Sequence, residues 1–506
     1  MENETFLQKL AAVLVDEYQE QWQSLYCILP NKRAKVFLLG ELQKKLNKPT
    51  FAPKIISIED FIGEISAIQS IDDVALLFEF YAFYKKTPPQ DKCQTFEQFS
   101  NWAATLLRDF NEIDRYLLEP NKVFDYLREI EVIKRWEVEK QDLTDLIKKQ
   151  LHFWEMMPIY YQAFYDFLIS KKTGYQGLIY REAVKQIDNF CEKKSDCLFV
   201  FAGFNALNQA EDIIIQTLIS NNQTRVFWNI DQDFLEDPYH DAGYFARKTK
   251  NNWKHYRTNP FLWIDNNFSE PKKIEIIGTP KTVGQAKIVG QIIENHISIE
   301  DIHKTAVVLG NEHLLIPLLN ALPKKVERLN ITMGFNAKNN PAQLLVYALF
   351  KMHQQALNRD AKNYVFYYKD VIDLLSNPLI VPFAEAQNTV QIINRNNFTY
   401  LTKSILLSIH GTQNTIFEKL FTDWNQDILT ILKSIQTLLI EIKNLIPEDS
   451  NEQIISKTFL YAVYKTINQL YSHCETYPYV ENVSTLFSLY KQMAEVSNVS
   501  FEGEPF

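Results

Sequence analysis

A short apolar run, Ser24–Leu29, is separated from its next counterpart, Cys197–Phe201, by a long stretch whose apolar residues recur at helical spacing. This arrangement constrains the fold more than any other feature of the chain. Brief apolar runs flanked by polar residues, Gly or Pro read as strands buried on both faces. A third run follows at Arg225–Ile230, and two more, Ile274–Ile277 and Thr305–Leu309, are expected to open a second unit. Strands alternating with helical patterns predict parallel sheets joined by crossover helices.

The intervening stretch is clearest at Phe96, Phe99, Trp102, Ala103, Leu106, Leu107, Phe110 and Ile113, which fall on one stripe of a helix. Val74–Tyr84 and Phe153–Ile169 follow the same aromatic, helical pattern. Only 13 glycines stand against 34 Phe and 25 Tyr, a balance that favours long helices over turn-rich β architecture. Pro88-Pro89 and the charged run Glu129–Lys149 read as connections or solvated faces, and Asn251–Lys273, with Pro260 and Pro271, reads as a linker.

At 506 residues the chain exceeds one compact domain. The predicted division is 1–60 plus 190–270 as a first parallel-sheet domain, with a helical insert at 61–189. A second, incomplete sheet domain covers 271–355, a second helical insert 356–498, and a re-entry segment 499–506.

The net charge of −9 argues against a general nucleic-acid coat but leaves room for a local basic groove. The five cysteines include no Cys-x-x-Cys pair, so no metal site is expected, and scattered thiols fit a reducing compartment. The acidic start lacks a signal-peptide pattern, and no apolar run reaches the roughly 18 residues of a membrane span. A cytoplasmic protein is the expectation.

A phosphate-binding loop needs Gly-x-x-x-x-Gly-Lys-[Ser/Thr], whose backbone N–H groups and lysine face the phosphates. None of the 13 glycines precedes a lysine. Helicases place a Mg²⁺-binding acid at the end of an apolar strand, but here Cys197–Phe201 runs into Ala202-Gly203. No nucleotide-binding residue, catalytic residue or cofactor is therefore expected.

The segment Phe201-Ala202-Gly203-Phe204-Asn205-Ala206-Leu207-Asn208-Gln209-Ala210-Glu211 resembles the Gly-Phe…Leu-Thr-x-x-Glu piece of the AddB family. Other pieces follow in the family's order. Leu29-Pro30-Asn31-Lys32-Arg33 resembles its early Pro-Asn-x-Arg motif, and Phe99-x-x-Trp102 with Asp109–Asp114 its insert helix. Gly177-Leu178-Ile179-Tyr180-Arg181 resembles its Gly-x-x-Tyr-Arg piece. Val307–Leu309, Asn311–Leu319, Leu322-Pro323, Asn330–Gly334 and Phe501–Pro505 resemble its second helicase-like domain.

The resemblance implies degenerate RecA-like (P-loop NTPase-like) domains of an inactivated superfamily I helicase, with large all-α insertions. The family continues into a C-terminal PD-(D/E)XK nuclease, which would lie beyond Phe506, so no ATPase or nuclease activity is expected from this chain. The implied partners are unwound single-stranded DNA and an ATP-driven, AddA-like helicase–nuclease subunit, joined as a heterodimer in double-strand-break repair. The matching helicase loop touches the DNA backbone, which makes Asn31, Lys32 and Arg33 the candidate DNA-binding residues. The competing reading of these three is a solvated basic turn.

Several features are weaker. Asp265 with Glu270-Pro271-Lys272 mimics nuclease spacing but sits in linker composition. Asp231-Gln232 reads as a strand-end turn, and the His296/Glu300 pair lacks a third ligand. The stripes Phe99/Trp102/Phe110 and Trp154/Phe164/Phe167 read as core packing before base stacking. Two other functions remain open: a protein-interaction scaffold without DNA contact, and a doubly wound enzyme of nucleotide or sugar chemistry.

Overall fold

The computed structural model describes residues 4–500 apart from 47, 88–92, 137–144, 328, 330, 332–333, 337–339, 360–363, 384–385, 411–414, 426, 448–450 and 497. The side chains of 130–154 also lie outside the description, with the expectations for Pro88-Pro89, the charged run, Trp154 and Phe501–Pro505. The chain divides into two units, Met1–Ile274 and Glu275–Phe506.

The first unit is α/β. After α1 (Phe6–Asp16) come β1 (Leu25–Leu29), α2 (Lys32–Lys45), β2 (Lys54–Ser57) and α3 (Ile58–Ser66). The helices α4 (Asp73–Tyr84), α5 (Phe96–Arg115), α6 (Pro120–Trp136), α7 (Asp145–Lys171) and α8 (Gln176–Lys193) then lead to β3 (Leu198–Ala202). The unit closes with α9 (Gln209–Asn221), β4 (Gln223–Phe227), α10 (Gln232–Glu236) and α11 (Tyr244–Asn252).

The four strands form one parallel sheet in the order β2-β1-β3-β4. Every residue of β1 and β3 is buried, as a parallel sheet covered on both faces requires. On one face Leu25, Cys27, Leu29, Val200, Ala202 and Phe227 pack under Leu10 and Leu14 of α1 and Leu38 and Leu42 of α2. On the other, Tyr26, Phe199 and Phe201 surround Phe61 of α3, beside Phe190 of α8. The period-two alternation along β1 and β3 separates these two sets.

The insert helices share an aromatic core. Phe78 of α4 stacks on Phe96 of α5 at 4.9 Å, and Phe80 meets Phe99, Phe110 and Phe164. Phe99 and Phe110 are fully buried, in agreement with the helical stripe. Trp102 is not. It lies partly exposed at the rim, against Phe80, Tyr84 and Phe99, and donates its indole N–H to Gln94 Oε1 at 2.8 Å.

The second unit is mainly helical. It contains α12 (Thr282–His296), α13 (Leu315–Ala321), α14 (Pro341–Arg359), α15 (Tyr368–Leu375), α16 (Ala386–Arg395), α17 (Lys403–His410) and α18 (Thr415–Leu420). Three longer helices follow, α19 (Ile428–Leu445), α20 (Asn451–Thr476) and α21 (Val483–Val496). A short antiparallel pair joins β5 (Gly334–Asn336) to β6 (Asn498–Ser500).

Two sequence expectations are corrected here. Ile274–Ile277 and Thr305–Leu309 have no regular secondary structure and enter no sheet among the described residues, and Ile276 and Val308 are 96% and 90% exposed. The second unit therefore shows no parallel sheet among the described residues. An apolar run records a preference for burial, whereas a strand also needs a neighbour to accept its ladder bonds.

Asn251–Lys273 is likewise no free linker over its first half. Trp253 and Phe261 are buried with Trp228, the rings of Trp228 and Phe261 stacking at 5.1 Å. Large apolar rings outweigh the asparagines and Pro260 that suggested a loop, because burying them offsets the entropy of ordering the segment.

Candidate nucleic-acid interface

Asn31, Lys32 and Arg33 follow β1 at the carboxyl edge of the sheet. The chain passes from β1 to β2 on one side and reaches β3 on the other, so strand order reverses around β1. In open α/β sheets the crevice at that reversal is where ligands bind.

The local sequence sets the geometry. Asn31 is the N-cap of α2, its Oδ1 accepting the Ala34 N–H at 2.9 Å, so its side chain is committed to the helix start. Lys32 and Arg33 begin the helix and are exposed. Lys32 pairs with Asp60 of α3 at 3.0 Å. Asp60 also accepts a hydrogen bond from Ser57 at 2.8 Å. Partial burial pushes the Asp60 carboxyl up, but hydrogen bonds from Lys32 and Ser57 and the charges of Lys32 and Lys35 hold it below its usual range. The first basic residue of the motif is thus already paired with a carboxylate, which a phosphate would have to displace.

Across the reversal, β3 ends in Ala202, which is fully buried, and Gly203, at φ +77°. The Gly203 N–H donates to Phe227 O at 2.9 Å. A Cβ on Gly203 would lie 3.2 Å from the ring of Phe6, so the start of α1 lies over this turn. Glycine is needed here because the left-handed backbone disfavours a side chain.

The first-unit motifs around Asp114, Gly177 and Arg181 converge on one another. The Arg181 guanidinium donates to Asp114 Oδ1 at 2.5 Å and to Ile113 O at 3.0 Å. Asp114 is fully buried and also accepts hydrogen bonds from Tyr161 and Tyr175. Burial pushes the Asp114 carboxyl up, against the lowering effect of those two hydroxyls and of Arg181. Gly177 donates its N–H to Asn111 Oδ1 at 2.8 Å, and a Cβ on it would come within 2.2 Å of Asn111 O. Tyr180 OH reaches Glu211 Oε1 at 3.4 Å, and Glu211 closes a capping box with Asn208 on α9. These residues fasten the helical insert to α8 and the sheet. Sequence alone gave them no task.

The weaker features have structural occupations. Asp265 pairs with Lys9, and Lys272 donates to the carbonyls of Asn267 and Glu270. Asp231 caps α10 and accepts the N–H groups of Asn267 and Phe268 at 2.8 and 2.9 Å, which makes it a turn residue. Phe99, Phe110 and Phe164 are too deeply buried to stack on bases. Among the described residues no helix is long and apolar enough to cross a membrane.

Comparison with family models and with curated proteins gives no match for this chain.

Proposed function

We propose that this chain is the non-catalytic, helicase-like portion of an AddB-type subunit. It holds unwound single-stranded DNA and docks an ATP-driven, AddA-like helicase–nuclease partner in double-strand-break repair. In this reading the parallel sheet is a degenerate RecA-like core. The single observation that carries it is the exposed Lys32-Arg33 start of α2 at the carboxyl edge, beside the strand reversal. That edge carries side-chain cations suited to a DNA backbone, while the sequence lacks the Gly-Lys pair required to grip nucleotide phosphates.

A salt titration against two unrelated single-stranded oligonucleotides tests the reading. Lys32→Ala/Arg33→Ala removes two backbone contacts, so the salt slope falls by about 1.4, at about 0.7 per contact. Both sequences lose affinity alike, because phosphate contacts carry no base information. Asp60→Asn frees Lys32 from its ion pair and strengthens binding. An unchanged slope in the double variant places the DNA path elsewhere. A wild type that binds no oligonucleotide favours the protein-interaction scaffold.

A further inference from the structure

We propose that the acid-free segment from Ala242 to Ile264 is a second contact for single-stranded DNA, a basic and aromatic arm on the same sheet edge as Lys32. This proposal rests on the reading of the chain as a single-strand binder and extends it to residues that reading does not use.

The segment carries Arg247, Lys248, Lys250, Lys254 and Arg257 and no Asp or Glu, in a chain whose net charge is −9. The flanking acids lie at its two ends, Asp241 before it and Asp265 after it, and Asp265 is occupied by Lys9. Arg247 is occupied as well, donating to the carbonyls of Phe234, Pro238 and His240. Lys248, Lys250, Lys254 and Arg257 are exposed, and none forms an ion pair with a described residue. Unpaired surface cations so concentrated are unusual in an acidic chain, because nearby carboxylates ordinarily neutralise them.

The arm is held in place. Ala246, Thr249 and Trp253 face inward, and the Trp253 indole N–H donates to Asp212 Oδ1 in the first turn of α9 at 2.6 Å. The Trp228 indole N–H donates to Tyr256 OH at 2.7 Å, and Trp228 N–H to Leu262 O at 3.2 Å. α9 begins beyond the carboxyl end of β3, and Trp228 directly follows β4. The arm is therefore fixed at the carboxyl edge near β4, two strand spacings from β1, or roughly 10 Å at about 4.8 Å each. One extended strand can meet both places. A cationic surface fixed before binding loses little entropy when it binds.

The aromatics decide between ligand classes. Tyr244 and Phe245, which lie just before Arg247 and Lys248 in the chain, are 54% and 43% exposed. Exposed planar rings at the start of a positive track are what unpaired bases stack on. An acidic protein would need the charges but not the rings.

The experiment compares the full chain with the variant Lys248→Ala/Lys250→Ala/Lys254→Ala/Arg257→Ala, titrating salt against oligothymidylate. The slope is expected to fall by about 2 to 3, at about 0.7 per lost contact, and this loss adds to that of Lys32→Ala/Arg33→Ala. The charge-keeping variant Lys248→Arg/Lys250→Arg/Lys254→Arg retains the wild-type slope. Tyr244→Ala weakens binding about tenfold with the slope intact, because stacking releases no counterion. Wild-type binding with an unchanged slope in the quadruple variant overturns the arm and leaves the Lys32 reading standing. Failure of the wild type to bind overturns both. Binding to anionic phospholipid vesicles with none to oligothymidylate assigns the arm to a membrane surface and overturns it as a DNA contact.

Discussion

Acidification from pH 7 to pH 5 should destabilise the second unit through a single histidine. His353 of α14 is fully buried and stacks on Trp424 at 4.1 Å. Its Nε2–H donates to Leu420 O at 3.0 Å and its Nδ1 accepts from Tyr364 OH at 2.7 Å, an arrangement that suits the neutral ring. Burial pulls its pKa down to about 3, only partly opposed by the Leu420 carbonyl. In the unfolded chain an ordinary histidine titrates near 6.5, so between about 6.5 and 3 the unfolded state binds the extra proton. Stability is therefore fully present above about 6.5 and lost as pH falls towards 3. At pH 5 the gap of about 1.5 pH units corresponds to a loss on the order of 2 kcal/mol, at about 1.4 kcal/mol per unit. Urea unfolding of the wild type and of His353→Gln at pH 7, 6 and 5 measures it. The variant is less stable at pH 7, but its stability falls by about 2 kcal/mol less on acidification. Parallel pH profiles for the two proteins would refute the argument, because carboxylates common to both would then account for the acid sensitivity.

Two further expectations concern the first unit. Arg181→Ala leaves the Asp114 carboxylate buried without its counter-charge and should cost about 3–5 kcal/mol in urea unfolding, whereas Asp114→Asn, which removes the buried charge and keeps one acceptor oxygen for Tyr161 and Arg181, should cost less. Phe99→Ala empties a closed aromatic core and should cost about 3–5 kcal/mol, while Trp102→Ala, at the rim, should cost about 1–2 kcal/mol. Equal melting losses for the two aromatics would show that Trp102 is packed as tightly as Phe99.

The sequence determined where the central strands lie and how the insert helices face their core. Leu25–Leu29 and Leu198–Ala202 are legible because a strand covered on both faces must be apolar throughout. Phe99 and Phe110 are legible because a helix repeats its buried face every three or four residues. The four-residue strand Lys54–Ser57 is not legible in the sequence. At the sheet edge, with one exposed residue, it carries too few apolar positions to stand out.

Tertiary structure decided everything that depended on a distant partner. Ile274–Ile277 and Thr305–Leu309 have strand composition yet find no ladder neighbour among the described residues. Asn251 to Phe261 has loop composition yet folds, because Trp228 and Asp212 supply partners for its rings. The Asp114–Arg181 pair, 67 residues apart, forms because α5 and α8 pack together, and the Lys248–Arg257 segment is held beside β4 by Trp253 and Tyr256. Composition and periodicity report what a residue prefers to bury, and that preference is local. Which partner satisfies it is settled only when chain crossings bring remote segments together.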